Sequence, residues 1–165
     1  MTDDFTDRLL DRWDTARPDL GVGALQVTAR LARIGPYLER RQEAVFNNFG
    51  LSRGEVGMLS ALRTAGPLHR LSPTRLSHGL MLSSAGVTSR LDRLERREFV
   101  RRLPDPDDRR GVIVELTDQG AEIVDAAVAA LAVSDRRLLE RFDPQEIATL
   151  EGLLRKVLAS LELPD

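Results

Sequence analysis

The run Leu103–Gly120, LPDPDDRRGVIVELTDQG, concentrates the charged chemistry of this chain. Two Pro–Asp steps lead through Asp107 and Asp108 to Arg109 and Arg110. Such a stretch turns, because proline presets the backbone and aspartate bonds neighbouring amides. Val112–Ile113–Val114–Glu115–Leu116 follows with the β-branched content of a strand, and Phe99–Leu103 before it is suited to be its partner. The spacing predicts a β-hairpin with arginines at its tip. A cationic tip on a two-stranded ribbon, after a compact helical segment, has the form of a wing that grips DNA. A solvated charged loop is the plain alternative.

The charge distribution points the same way. Residues 70–111 hold ten arginines against six acids, a local +4 in a chain of net charge −2. A basic patch on an acidic body suits a protein that lays one face on a polyanion. A solvated arginine-rich face gives a similar count.

Other chemistries lack their residues. There is no cysteine, so no disulfide, thiolate metal site or cysteine-based oxidant sensing is available. His69 and His78, nine apart, have no carboxylate at ligand spacing, so they are expected to be surface or helix-packing residues. No metal and no cofactor is expected. No nucleophile–base pair, phosphate loop or usefully spaced pair of carboxylates suggests an enzyme. No apolar run approaches the ~20 residues of a membrane span, and the acidic amphipathic start MTDDFTDRLL is unlike a signal peptide. A cytoplasmic protein is expected.

The elements that must carry the hairpin are helical. Thr6–Arg17 predicts a short helix with Leu9, Leu10 and Trp13 on one face, ended by Pro18. Leu25–Phe49 predicts a long one, kinked or split at Gly35–Pro36 and closed by Gly50. Ser52-Arg53-Gly54-Glu55 is a capping box opening a helix that stops at Gly66–Pro67. Ser72-Pro73-Thr74 starts a short helix over Pro73–His78. Ala85–Glu98 predicts another, with Val87, Leu91 and Leu94 inward. Short helix, tight glycine turn, second helix with a Ser/Thr/Arg outer face is helix-turn-helix organisation, and the hairpin adds a wing. Thr117 opens a long helix to about Arg141, and Asp143-Pro144-Gln145-Glu146 caps the last one. The order is α-α-α-α-α-β-β-α-α. The apolar faces of the long helices exceed what a winged domain of ~60 residues can cover, so a homodimer interface is expected rather than an internal bundle.

These residues carry a family resemblance. Asp108-x-Arg110-x-x-x-Val114-x-Leu116-Thr117-x-x-Gly120, with Ser83–Glu95 (SSAGVTSRLDRLE) before it, resembles the multiple-antibiotic-resistance regulator (MarR) family of winged-helix transcription factors. The implied fold is mainly α with a small β-hairpin wing: a winged helix-turn-helix domain plus a helical dimerisation region. In that frame 1–165 is a single domain, with an extra N-terminal helix at 6–17, dimerisation helices at 22–49 and 118–161, and the winged helix-turn-helix at 52–117. The resemblance implies that Arg110 enters the minor groove, held by Asp108, with Arg109 beside it. It implies that Ser83, Ser84, Thr88 and Arg90 face the major groove or its phosphates, and that Thr74 and Arg75 touch the DNA backbone. Arg93, Arg96 and Arg97 are expected to pair with Asp92 and Glu95 along their own helix.

A narrower similarity is to the branch that responds to urate or small carboxylates such as trans-aconitate. It implies an effector site of Trp13, Arg90 and Arg102. Gly57 stands where that branch has an aspartate, so two arginines without a carboxylate partner would favour a more negative ligand. For Trp13 a packing anchor is the alternative. The resemblance as a whole implies a ligand-responsive regulator, a repressor, binding pseudo-palindromic double-stranded DNA as a homodimer and released by a small anionic metabolite. The alternatives are a regulator with a different effector or none, and a winged-helix protein-interaction module.

Overall fold

The computed structural model describes residues 3–80, 84–106, 108 and 111–162. The chain divides into two compact units, residues 1–53 and 54–165.

In the first unit, Asp4 starts α1 (Phe5–Ala16) with a capping box. Its Oδ1 accepts from the amides of Thr6 (2.6 Å) and Asp7 (3.0 Å), and the Asp7 carboxylate accepts from its own amide at 2.9 Å. Helix α2 (Leu25–Asn47) lies against it. Arg30 bonds Asp4 and Asp7 at 2.9 and 2.6 Å, and the Arg33 guanidinium lies 4.4 Å from the Phe5 ring centre. Pro36 sits inside α2 without splitting it. Proline costs that turn one amide bond, but its fixed φ is helical and the turns on either side continue. The chain leaves α2 through Gly50 at φ 64, where glycine lacks the Cβ that disfavours the left-handed region. The Leu51 amide then reaches back to the Phe46 carbonyl at 3.1 Å.

The second unit packs α3 (Arg53–Arg63), α4 (Pro73–Gly79) and α5 (Ser84–Arg96) against a small sheet. Apolar residues at helical spacing are buried: Val56, Leu59 and Leu62 on α3, Leu76 on α4, and Val87, Leu91 and Leu94 on α5. The hairpin consists of β2 (Val100–Pro104) and β3 (Val112–Leu116), paired antiparallel from Val100↔Leu116 to Pro104↔Val112. A third strand, β1 (Arg70–Leu71), pairs with the other edge of β3. The expected order omitted it. Two residues between Pro67 and Pro73 have no alternation to detect, and their extended state comes from the free edge of β3.

Thr117 joins the sheet to α6 (Asp118–Leu139). Its Oγ1 accepts from the Gly120 amide at 3.0 Å and donates to the Glu98 carbonyl at 2.7 Å, while its amide donates to the Phe99 carbonyl at 3.1 Å. Gly120 then passes so close to that turn that a Cβ there would lie 2.0 Å from the Phe99 carbonyl oxygen. Asp143 caps α7 (Pro144–Glu162), accepting from the amides of Gln145 and Glu146 at 2.7 and 2.8 Å. No residue of α7 is buried, and Leu153 and Leu158 on it are more than half exposed. Among the described residues no helix is long and apolar enough to cross a membrane.

Gly120→Ala forces the backbone around Phe99 to move. We expect a loss of about 1–3 kcal/mol in stability, read as a lower melting temperature. An unchanged melt would show that the Thr117–Phe99 junction yields without cost.

Candidate nucleic-acid interface

Helices α4 and α5 bring two of the expected contact residues together. Thr74 and Thr88 line one small groove, of about 190 Å³, with Pro73, Ser77, His78 and Val87. Both threonines and Arg75 are exposed. Ser72 holds the start of α4 through a 3.3 Å bond from the Arg75 amide, leaving that side chain free of the cap. Ser83, Arg109 and Arg110 lie outside the described residues, as does the expected Asp108–Arg110 pair. The Ser84 backbone begins α5. At the hairpin end, the Gly111 amide donates to the Asp108 carbonyl at 2.8 Å, and the Asp105 amide to the Gly111 carbonyl at 3.1 Å.

Arg90 does not stand out from the helix. Its Nη1 donates to the Gly86 carbonyl at 3.1 Å, and its guanidinium lies over Gly54 so closely that a Cβ at Gly54 would sit 2.6 Å from Nε. Here the absence of a side chain on α3 makes room for an arginine of α5.

The expected pairing along the helix is corrected for Arg93. Arg93 leaves its own helix and donates from Nε to the buried Glu55 carboxylate of α3 at 3.0 Å. Arg96 donates to the Asp92 carbonyl at 3.1 Å, and Arg97 lies over the Phe99 ring at 4.6 Å. Asp92 and Glu95 are taken by Arg102 of β2. Its two terminal nitrogens reach them at 2.6 Å each, and its amide donates to Glu95 at 3.2 Å. Arg102 is therefore not an arginine without a carboxylate partner. Its own pKa rises, chiefly through the Asp92 bond. Packing decides this outcome: β2 runs beside α5, and a strand arginine reaches both carboxylates with its fork, geometry that an i,i+4 partner cannot match.

Trp13 is half-exposed on α1, and it belongs to the first unit while Arg90 and Arg102 belong to the second. Gly57, where an acid was expected, has only ordinary space beside it: a Cβ would meet Leu80 at 3.4 Å. His69 is not itself on a helix. It sits in a turn at φ 51, with Nε2 3.3 Å from an Arg63 nitrogen. Arg63 in turn grips Asp125 of α6 through bonds of 3.1–3.2 Å. Among the described residues no group of three or more His, Asp or Glu could hold a metal.

Sequence reasoning also missed a residue at the heart of the sheet. Glu115 of β3 is buried, with Arg70 of β1 and Arg101 of β2 directly opposite it on the two neighbouring strands. Arg70 bonds one carboxylate oxygen and Arg101 Nε the other, the latter at 2.6 Å. The signal was a lone glutamate in a run of β-branched and aliphatic residues.

Comparison with known proteins now bears on this arrangement. Residues 51–112 match the MarR family. Over 149 residues the chain is 34% identical to the HTH-type transcriptional regulator PecS of Dickeya dadantii, covering 90% of each protein. The chain belongs to the MarR family. It is likewise 30% identical over 133 residues to the multiple antibiotic resistance protein MarR of Escherichia coli, spanning 78% of this chain and 90% of that one. Among solved structures, a mutant E. coli MarR complexed with operator DNA superposes with a TM-score of 0.68 at 28% identity, over 88% of this chain and 97% of that one. A MarR family regulator from Streptomyces coelicolor gives 0.72 at 26% identity, over 87% and 99%. This chain is a MarR-family transcriptional regulator with the winged-helix fold, and these relatives are regulators, not enzymes.

Burial raises the pKa of Glu115, but the bonds from Arg70 and Arg101 outweigh it and hold the carboxyl below its ordinary value. A lowered folded-state pKa gives stability that is full above the unfolded value, ~4.3, and is lost as pH falls through the folded one. Glu115→Gln should therefore lower the melting temperature most near pH 7, with the gap from the parent closing toward pH 3. A gap independent of pH would mean that the carboxylate's charge contributes nothing.

Proposed function

We propose that this MarR-family regulator binds a pseudo-palindromic operator as a homodimer, represses transcription from it, and is released by a small anionic metabolite. The observation that carries the DNA reading is the exposed trio Thr74, Arg75 and Thr88 on the adjacent helices α4 and α5, in the unit that also holds the hairpin. In this reading α5 reads the major groove, aided by Ser83, Ser84 and Arg90. Arg109 and Arg110 reach the minor groove from the wing, with Asp108 holding Arg110. The two-fold axis sets half-sites about one helical turn, ~10 bp, apart. The domain layout is the one read from the sequence: an extra helix at 6–17, dimerisation helices at 22–49 and 118–161, and a winged helix-turn-helix at 52–117. Support for the dimer is the uncovered apolar face of α7, where Leu150, Leu153, Leu154, Leu158 and Leu161 are all exposed. A cytoplasmic location goes with this reading.

The effector reading, that of the urate- or trans-aconitate-responsive branch, rests on Trp13, Arg90 and Arg102. An anion that binds Arg102 competes with Asp92 and Glu95 for it and so acts on α5 itself. Coupling of this kind is typically worth ~1–3 kcal/mol and is reciprocal, so operator DNA weakens effector binding by the same factor.

Two measurements test these points. Arg110→Ala should lose most of its affinity for promoter-proximal DNA in a shift titration while remaining a folded dimer; near-normal binding would remove the wing from the mechanism. The same titration with citrate, trans-aconitate and urate should show release of the complex by at least one of them. A tight complex indifferent to all three would keep the DNA reading and discard this effector class.

A further inference from the structure

Glu55 is a buried carboxylate on α3 that takes no part in the contacts proposed for DNA. Its side chain is 7% exposed, and its Oε1 accepts from Arg93 Nε at 3.0 Å. Arg93 lies on α5 five residues beyond Thr88, in the helix proposed to read the major groove.

The geometry of α5 gives this pair its consequence. At ~100° per residue, Val87, Leu91 and Leu94 form the narrow buried stripe on which the helix rests. Arg93 projects about 120° to one side of Val87, toward α3. Glu95 and Asp92 project about 80° and 140° to the other, where Arg102 of β2 holds both. The helix is thus restrained from opposite flanks, by Glu55 through Arg93 and by Arg102 through Asp92 and Glu95. A stripe of three aliphatic side chains resists translation well and rotation poorly, because apolar contact is not directional. Opposed charge-assisted bonds resist rotation. A roll of ~10° moves a side-chain tip on the outer face by roughly 1 Å, enough to spoil a hydrogen bond to a base edge. The same roll leaves contact with phosphates, which tolerate a long flexible side chain, nearly unchanged.

We propose that Glu55 and Arg93 are positioning residues for sequence discrimination: their ion pair fixes the rotational setting of α5, and so the register of its outer residues on the bases. This rests on the reading of α5 as the helix that contacts DNA. Glu55, being buried, reaches α5 through Arg93.

The test compares affinity for the promoter-proximal duplex with affinity for a scrambled duplex of the same length. The variants are Arg93→Met, Arg93→Lys, Glu55→Gln and the Glu55→Gln/Arg93→Met double. Each single loss of the pair should cut the ratio of specific to scrambled affinity about tenfold, as expected for one charge-assisted hydrogen bond, with scrambled binding changed less than about twofold. The double variant should lose less than the sum of the two single losses, since the ion pair is shared between them. Arg93→Lys should recover part of the ratio. Arg93 is nearly half exposed, so its Met variant decides the matter should Glu55→Gln lower the melting temperature. The proposal is overturned if the ratio stays within about twofold of the parent, or if the two single losses add. It also falls if Arg93→Met weakens both duplexes equally and lowers the salt slope by about one, the mark of a phosphate contact. Thr88→Ala separates the underlying reading. If it leaves the ratio unchanged, α5 is not the reading helix, and that result removes this proposal with it.

Discussion

A carboxylate taken out of water loses hydration worth several kcal/mol, and only well-placed cations and hydrogen bonds restore it. Glu115 is in that position at the centre of the sheet, and both of its neighbours in the ladder are arginines. Each guanidinium takes one oxygen, so all three strands are tied at a single level. This constraint sets register. Sliding either outer strand by one residue would take its arginine away from the buried charge and turn the rest of the strand to the wrong face. The two-residue strand β1 has too few ladder bonds to choose its own register, so the charge chooses it. The hairpin that carries the basic tip stands on this foundation.

From the sheet the constraint passes to α5. Strand β2 presents Arg101 to Glu115 on one residue and Arg102 to Asp92 and Glu95 on the next. Alternation along a strand puts these adjacent arginines on opposite faces, so β2 binds the sheet's central strand with one and the helix with the other. Adjacent α5 residues Asp92 and Arg93 likewise serve opposite flanks. Wing and helix are therefore coupled through ion pairs as well as through apolar packing. Exposed pairs contribute little to stability individually. What they contribute here is direction, because a charge-assisted hydrogen bond has a preferred geometry and a methyl contact does not.

Much of this was legible in the residues. The helix caps at Asp143 and Thr117 and the proline start at Pro73 are local devices, each satisfied by neighbours within four residues, and the β-branched run at 112–116 is a strand by its own composition; the structure has them where the sequence put them. Thr74, Arg75 and Thr88 are exposed on the expected helices. The arginines of α5 were less legible. Their nearest acids in sequence are on the same helix, so i,i+4 pairing was the natural expectation. The partners actually used lie 38 residues away for Arg93, and 7 and 10 residues away for Arg102. Of the two outcomes expected at Pro36, a split does not occur: one missing amide bond is a local loss, and the other turns of a 23-residue helix outweigh it.

The sequence by itself determined the order of the helices, the hairpin, the family and the basic segment, because periodicity, capping and turn chemistry act over a few residues and survive in any context. Tertiary structure alone decided which cation meets which carboxylate. It added β1, buried Glu115 between two arginines, sent Arg93 to Glu55 and laid Arg90 over Gly54. Long charged side chains have several partners within reach along the chain. The choice among them falls to the backbone that brings one acceptor to 3 Å and shields it from water, and that backbone exists only once the helices and the sheet have packed.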